Sequence, residues 1–291
     1  MSMNVPAKKL NCGFEIPTLG MGTWLMGGGV ERDVQHDDSR SIAAIQQAVR
    51  CGITHIDTSE MYANGHAEKI VGAAIKNLDR SKLFLSSKVW MTQLKYQDVI
   101  ASAQSSLERL GIDHLDLYLV HAPNSGIPIK GTMEALDALV GANLVKHIGV
   151  CNFNLERLQE AQQHTRNKIV VNQLHYNLMY REPEAKGLLE YCQRNDVMFV
   201  AWRPLELGLL FSVCHEILES LCEKYGKTPA QVMINWLISQ NNVVTISKMS
   251  QLEHVRENMG ALGWQMESAD IEYLRRAFPS QKMVSNVRPL I

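Results

Sequence analysis

The sequence predicts an α/β protein, a single (β/α)8 TIM barrel with an N-terminal β-hairpin, in which residues 1–291 form one domain. Three observations carry that reading. Short β-rich runs alternate with longer amphipathic stretches along almost the whole chain, as parallel strands joined by crossover helices do. The strand ends fall near residues 57, 88, 121, 151, 173, 202 and 247. That is a spacing of roughly thirty residues apart from one longer gap, and eight such units close naturally. A length of 291 residues is ordinary for such a barrel built as one body.

The elements follow in order. A hairpin is expected around KLNCGFEI, then strands at PTLGMG (17–22), ITHIDT (53–58), LFLSSKV (83–89), LDLYLVH (115–121), HIGVCN (147–152), IVVNQLH (169–175), VMFVAW (197–202) and VVTISK (243–248). Between them SRSIAAIQQAVRCG, EKIVGAAIK, YQDVIASAQSSLERLG, MEALDALVGA and NLERLQEAQQH repeat apolar residues at three- and four-residue spacing and read as helices. In TPAQVMINWL, Thr228 suits a cap, Pro229 the first helical position and Gln231 the far side of a capping box. An open doubly wound sheet alternates in the same way, but it usually binds its dinucleotide on a Gly-rich turn that opens a helix. GMGTWLMGGG fails that test, because Leu25 stands where the third glycine of G-x-G-x-x-G belongs.

Composition narrows the function. Apolar residues make up 46% of the chain and charged residues 20%, enough to bury a sizeable core in a soluble fold. The formal charge of -1 gives no global field for nucleic acid or anionic lipid, so the expected partner is a small molecule or a protein. Cys12, Cys51, Cys151, Cys192, Cys214 and Cys222 form no C-x-x-C pair and read as free thiols. MSMNVPAKKLNCG lacks an apolar leader core and no run of 18 apolar residues occurs, so the expectation is a cytoplasmic protein with no membrane partner. A monomer or weak oligomer is expected.

In such barrels the site lies at the C-terminal strand ends. There the sequence places Asp57, with Tyr62 in the loop after it, then Lys88, His121, Asn152 and Gln173. Each has an ordinary explanation: a lone Asp there is more often a turn or cap residue, Lys88 a strand-edge charge, His121 a loop hydrogen-bonder, Tyr62 a rim residue. Asp, Tyr, Lys and His on three consecutive strand ends are harder to assign to chance. A nearby ammonium draws a phenol's pKa down toward the working range, so Lys88 is expected to activate Tyr62 while Asp57 holds Lys88 charged and His121 orients a substrate oxygen. That is a proton donor facing a carbonyl, and since no side chain supplies a hydride, a redox cofactor is implied.

With these residues in place, the chain resembles the aldo-keto reductase family. The resemblance rests on GITHIDTSEMY, SSKVW, LYLVHAP, IGVCNF, VVNQLHY, RPLELGLL, TPAQVMINW and QLEHVRENMGAL, spaced in order along most of the chain. It implies NADPH-dependent reduction of an aldehyde or ketone to an alcohol, with Asp57, Tyr62, Lys88 and His121 as catalytic tetrad and Tyr62 as acid. It further implies that Asn152 and Gln173 bind the nicotinamide carboxamide and that Trp202 stacks on its ring. Gly22, Thr23, Trp24, Asp57, Cys151, Pro204, Leu205, Gly208, Lys248, Ser250, His254, Glu257 and Asn258 complete the cofactor groove. Trp24, Tyr62, Trp90 and His121 face the substrate.

Two departures qualify the match. Cys151 stands in place of a serine beside Asn152, and His254 in place of an arginine that reads the adenosine 2'-phosphate. Lys248 still offers that phosphate a positive charge, so NADPH is expected over NADH. The short loop HAPNSGIPIKGTMEAL and the tail PSQKMVSNVRPLI, which lacks aromatic residues, imply an open substrate pocket.

Other classes fit less well. A non-catalytic cofactor-binding regulatory or scaffold subunit of the same fold has no need of an intact tetrad. A Schiff-base lyase on Lys88 is opposed by Asp57, which keeps the amine charged. A metallohydrolase lacks H-E-x-x-H, since His215-Glu216 is followed by Glu219 where a second histidine is required. A glycosidase lacks its acid on the fourth strand, where His121 stands.

Overall fold

The computed structural model describes residues 4–210, 215–278 and 281–290. Strands β1 (Ala7–Lys9) and β2 (Glu15–Pro17) pair antiparallel, Lys8 opposite Ile16, and form the expected hairpin. The barrel strands are β3 (Leu19–Gly22), β4 (His55–Asp57), β5 (Phe84–Val89), β6 (Leu115–Val120), β7 (Val145–Cys151), β8 (Ile169–His175), β9 (Met198–Trp202) and β10 (Val243–Lys248). They pair in chain order, all parallel, and β10 returns to β3 to close the ring. Every expected barrel strand is present, each within two residues of the expected bounds.

Two cores account for the apolar runs. Inside the barrel Leu117, Leu119, Val171, Met198, Val200 and Val244 pack with Leu10, Phe14 and Ile16, so the hairpin plugs the N-terminal end. Between strands and helices lies a second, larger core with residues such as Ile56, Tyr118, Val150 and Trp236. Strands buried on both faces read as continuous apolar runs rather than alternating ones.

The helices are set by local chemistry. Asp37 caps the helix Asp38–Arg50, Asn154 caps Leu155–Gln163, and Thr228 with Gln231 closes a full capping box on Pro229–Ile238. Two short helices, Glu182–Ala185 and Leu188–Arg194, fill the β8–β9 connection and carry too few turns for a periodic signal. Gly72 marks a tight helix crossing: a Cβ there would lie 2.7 Å from the Leu110 carbonyl oxygen. Cys12, Cys51, Cys151, Cys192 and Cys222 are free thiols. Cys214 lies outside the described residues.

Candidate active site

The C-terminal ends of the parallel strands converge on one cavity of about 690 Å3. Asp57, the last residue of β4, uses both carboxylate oxygens. Oδ1 accepts from Lys88 Nζ at 2.5 Å, while Oδ2 accepts from Ser86 Oγ at 2.8 Å and Gln173 Nε2 at 3.1 Å. Lys88 Nζ also donates to the Thr58 carbonyl at 2.7 Å and to Tyr62 Oη at 3.4 Å. Burial acts to lower the Lys88 pKa, but the charge of Asp57 outweighs it and moves it above the ordinary lysine value.

Tyr62 departs from expectation. Burial pushes its phenol up to about 12, and the nearby Lys88 offsets only part of that. The sequence-based expectation of a lowered phenol pKa is therefore corrected: proximity to the ammonium is real, but loss of hydration is the larger effect. His121 is moved well below the usual imidazole value, first by burial and then by the charges of Lys88 and Arg288, so it is neutral. Its Nδ1 meets Ser59 Oγ at 2.9 Å, and a Ser59 hydroxyl donating there leaves the proton on Nε2. The Tyr62 ring contacts Trp24 and His121 edge-on, at centroid distances of 5.0 and 5.6 Å.

The loop that carries Tyr62 is pinned from behind. Glu60 accepts from the Trp90 backbone N–H at 2.6 Å. Fully buried Glu68 accepts from Ser87 Oγ and from Arg109 Nε, the latter at 2.6 Å. Ala63 and Asn64 adopt positive φ just after Tyr62, and Ala63 N–H donates to the Gly29 carbonyl at 2.7 Å. A left-handed pair of non-glycine residues needs such anchors to persist.

On the opposite wall Asn152 takes φ 61, a conformation asparagine tolerates better than most side chains. Its Nδ2 donates to the His121 carbonyl at 3.0 Å, and Oδ1 accepts from Trp202 Nε1 at 3.3 Å. Trp202 stacks on His175 with centroids 4.2 Å apart, and Tyr180 stacks on the other face of that imidazole at 4.4 Å. His175 in turn contacts Glu206 Oε2 and Ser285 Oγ, each at 2.8 Å.

Most of the expected site residues line the cavity: Gly22, Trp24, Asp57, Tyr62, His121, Asn152, Gln173, Trp202, Pro204, Leu205, Gly208, Lys248, Ser250, His254, Glu257 and Asn258. Four do not. Lys88 lies just beneath the surface and acts on the cavity through Asp57 and Tyr62. Thr23 is fully buried and donates from both N–H and Oγ1 to the Asp57 carbonyl, each at 3.0 Å, so it steadies β4. Cys151 is buried too and its thiol faces Gln173 Oε1 at 3.5 Å. Trp90, half-buried, packs edge-on against His121, centroids 5.1 Å apart, and borders the cavity through that ring and Arg288.

The cavity also includes residues that sequence reasoning did not select, among them Leu25, Met61, Arg203, Leu207, Val287 and Arg288. The last two belong to the tail, which folds back over the mouth. A lone Arg or Val in an aperiodic tail carries no local signal of that return.

Known proteins place this geometry. The model of the Aldo/keto reductase family matches residues 18–278. The chain is 34% identical over 271 residues to the methylglyoxal reductase YeaE of Escherichia coli (strain K12), covering 92% of this chain and 93% of that protein. It is 33% identical over 266 residues to the glyoxal reductase of Bacillus subtilis (strain 168), covering 91% and 90%. Among solved structures, the thermostable aldo-keto reductase Tm1743 in complex with the inhibitor epalrestat superposes with a TM-score of 0.90 at 40% identity, covering 93% of this chain and 98% of that one. An aldo/keto reductase from Klebsiella pneumoniae in complex with NADP and acetate gives 0.84 at 30% identity, covering 99% and 100%. On the match of family, fold and length together, the chain belongs to the aldo/keto reductase family.

Proposed function

We propose that the chain reduces an aldehyde or ketone to an alcohol with NADPH, the proton coming from Tyr62 Oη. The observation that carries this is the buried chain Asp57–Lys88–Tyr62, which ends at the cavity beside His121. The relatives named as reductases, and the Klebsiella pneumoniae structure with NADP, support the same reading.

The cavity suits a nicotinamide dinucleotide by its donor set. Asn152 and Gln173 present fixed amides at one place, Trp202 a flat ring beside them, and Lys248 with His254 cationic or donor groups for phosphate. When bound, the nicotinamide supplies the hydride that no side chain can. Lys248 supports NADPH over NADH.

The protein's own residues supply the proton. Neutral His121 donates from Nε2 to the carbonyl oxygen and holds it near Tyr62 Oη. Tyr62 keeps its proton at neutral pH and releases it only as negative charge builds on that oxygen. Lys88, held charged by Asp57, then stabilises the phenolate left behind. The same ion pair argues against Schiff-base chemistry, which needs a neutral amine.

No helix among the described residues is long and apolar enough to cross a membrane. A cytoplasmic setting is part of the proposal, supported by the free thiols. The test is to follow NADPH absorbance with a panel of aldehydes, ketones and sugars. Wild type is expected to consume NADPH, and Tyr62→Phe to bind it while losing at least ~100-fold in turnover. Retained turnover in Tyr62→Phe would overturn the assignment.

A further inference from the structure

The tail beyond the helix Ser268–Ala277 is fastened to the barrel on both sides of Arg288. On one side Ser285 N–H donates to Glu182 Oε2 at 2.7 Å, and Ser285 Oγ meets His175 Nδ1. On the other, Leu290 N–H donates to Glu182 Oε1 at 3.0 Å, and Lys186 Nζ donates to the Leu290 carbonyl. Arg288 N–H itself donates to Ser285 Oγ at 3.0 Å. Ser285, Leu290 and Glu182 are all buried. The backbone under Arg288 is thus held in place by groups that have lost their water, and the side chain projects from a fixed point.

Arg288 lines the same cavity as Tyr62 and His121. Its Cζ lies 5.6 Å from the centre of the Trp90 ring, which in turn sits edge-on to His121. Its charge reaches the His121 imidazole and disfavours protonation there. Among the described residues no carboxylate lies within ion-pair reach of it. Arg203, the other arginine lining the cavity, is paired with Glu206 at 3.4 Å. Lys248 lies at the end of β10, across the ring of strands from β5 and β6, which carry the Trp90 and His121 loops. Among the described residues, the catalytic end of the cavity therefore holds one cation without an ion-pair partner, a planar guanidinium beside an indole.

We propose that Arg288 binds the carboxylate of the substrate, so that the preferred substrates are carbonyl compounds bearing an acid group. This rests on the reading of Tyr62 and His121 as the carbonyl end of the site. A guanidinium fork matches a carboxylate in two parallel hydrogen bonds, and a partly desolvated cavity strengthens them. With the carbonyl at Tyr62 and the carboxylate at Arg288, the body of the substrate passes beside His121 and Trp24. An arginine that only stacks on Trp90 would explain the 5.6 Å contact equally well. It would not distinguish an acid from its ester, and that difference is the test.

The probes are 4-formylbenzoate and methyl 4-formylbenzoate, nearly the same shape with and without the charge. In wild type kcat/KM for the acid is expected to exceed that for the ester by roughly tenfold. Arg288→Met is expected to collapse that ratio toward one, and Arg288→Lys to restore part of it. Calorimetric titration of both compounds into enzyme with excess NADP+ reads the same preference without turnover. It therefore decides the point even if neither compound is reduced, an outcome that would count against the proposed function instead. The proposal is overturned if wild type binds and reduces the ester as well as the acid. It is equally overturned if Arg288→Met keeps the wild-type ratio, or weakens NADPH binding as much as it weakens the acid.

Discussion

Lys88 Nζ and Asp57 Oδ1 lie 2.5 Å apart with both side chains almost wholly out of solvent, 0% and 1% exposed. Such a pair is close to neutral as a unit and costly when broken, because the survivor is a buried, uncompensated charge. The two ends are not equivalent. Asp57 keeps Ser86 and Gln173 as donors if Lys88 is removed, whereas Lys88 without Asp57 keeps only neutral oxygens.

Asp57→Asn is therefore expected to destabilise the fold by about 3–5 kcal/mol, more than Lys88→Met does. The double variant Asp57→Asn/Lys88→Met should cost less than the two singles added. Urea unfolding of the four proteins measures the cycle, and simple additivity would show that the charges are not coupled.

The phenol of Tyr62, raised to about 12, gives a prediction for the pH profile of reduction. The protonated form is the active acid, so activity is lost only as pH rises through its pKa. The rate constant of the chemical step is expected to stay flat from about pH 6 to about pH 10. A single-turnover profile with a basic limb near neutrality would contradict it.

His55, buried beneath Asp57, is lowered to about 4 mainly by desolvation. Its Nε2 meets Ser86 Oγ at 3.1 Å, while Nδ1 has no hydrogen-bond partner among the described residues. The unfolded chain takes up a proton near pH 6.5 and the folded one does not, so stability is fully present above that pH and falls toward pH 4. The loss is roughly 3 kcal/mol over that window. Urea midpoints measured against pH should show this slope, and His55→Phe should flatten it.

Gly72 tests the helix crossing. Gly72→Ala sets a Cβ 2.7 Å from the Leu110 oxygen and 2.8 Å from that of Arg109, backbone atoms that cannot swing away. A loss of about 1–3 kcal/mol is expected. Gly141→Ala, with open space around it, serves as the control and should be neutral or slightly stabilising.

Coenzyme choice can be read at His254, exposed at the cavity rim. His254→Arg adds a permanent charge and a planar fork, and is expected to tighten NADPH roughly tenfold relative to NADH. Fluorescence titration of both coenzymes measures the ratio.

The strands were legible because a two-sided apolar burial leaves continuous runs, and Thr228-Pro229-x-Gln231 was legible because a capping box is chemistry between near neighbours. The grouping of Asp57, Tyr62, Lys88 and His121 followed from the barrel alone, since parallel strands carry their ends to one mouth. The direction of the Tyr62 shift did not, because hydration lost on folding depends on everything packed around the ring. The contact of Trp90 with Arg288, 198 residues further on, was not legible either, because it joins the loop after β5 to the tail. His175 bonds Glu206 and Ser285, 31 and 110 residues away, and no window of sequence spans that distance.

The closure of β10 on β3, with Thr245 opposite Leu19, joins the two ends of the barrel sequence. Strands β4, β5 and β6 pair as successive neighbours, so Asp57, Lys88 and His121 can meet while the last third of the chain is still being synthesised. Lys248, His254 and Asn258 come from the segment made last, and Arg288 follows them. Joining chain segments so far apart is a slow step. Until β10 closes on β3, the proton-donating half has no complete cavity around it.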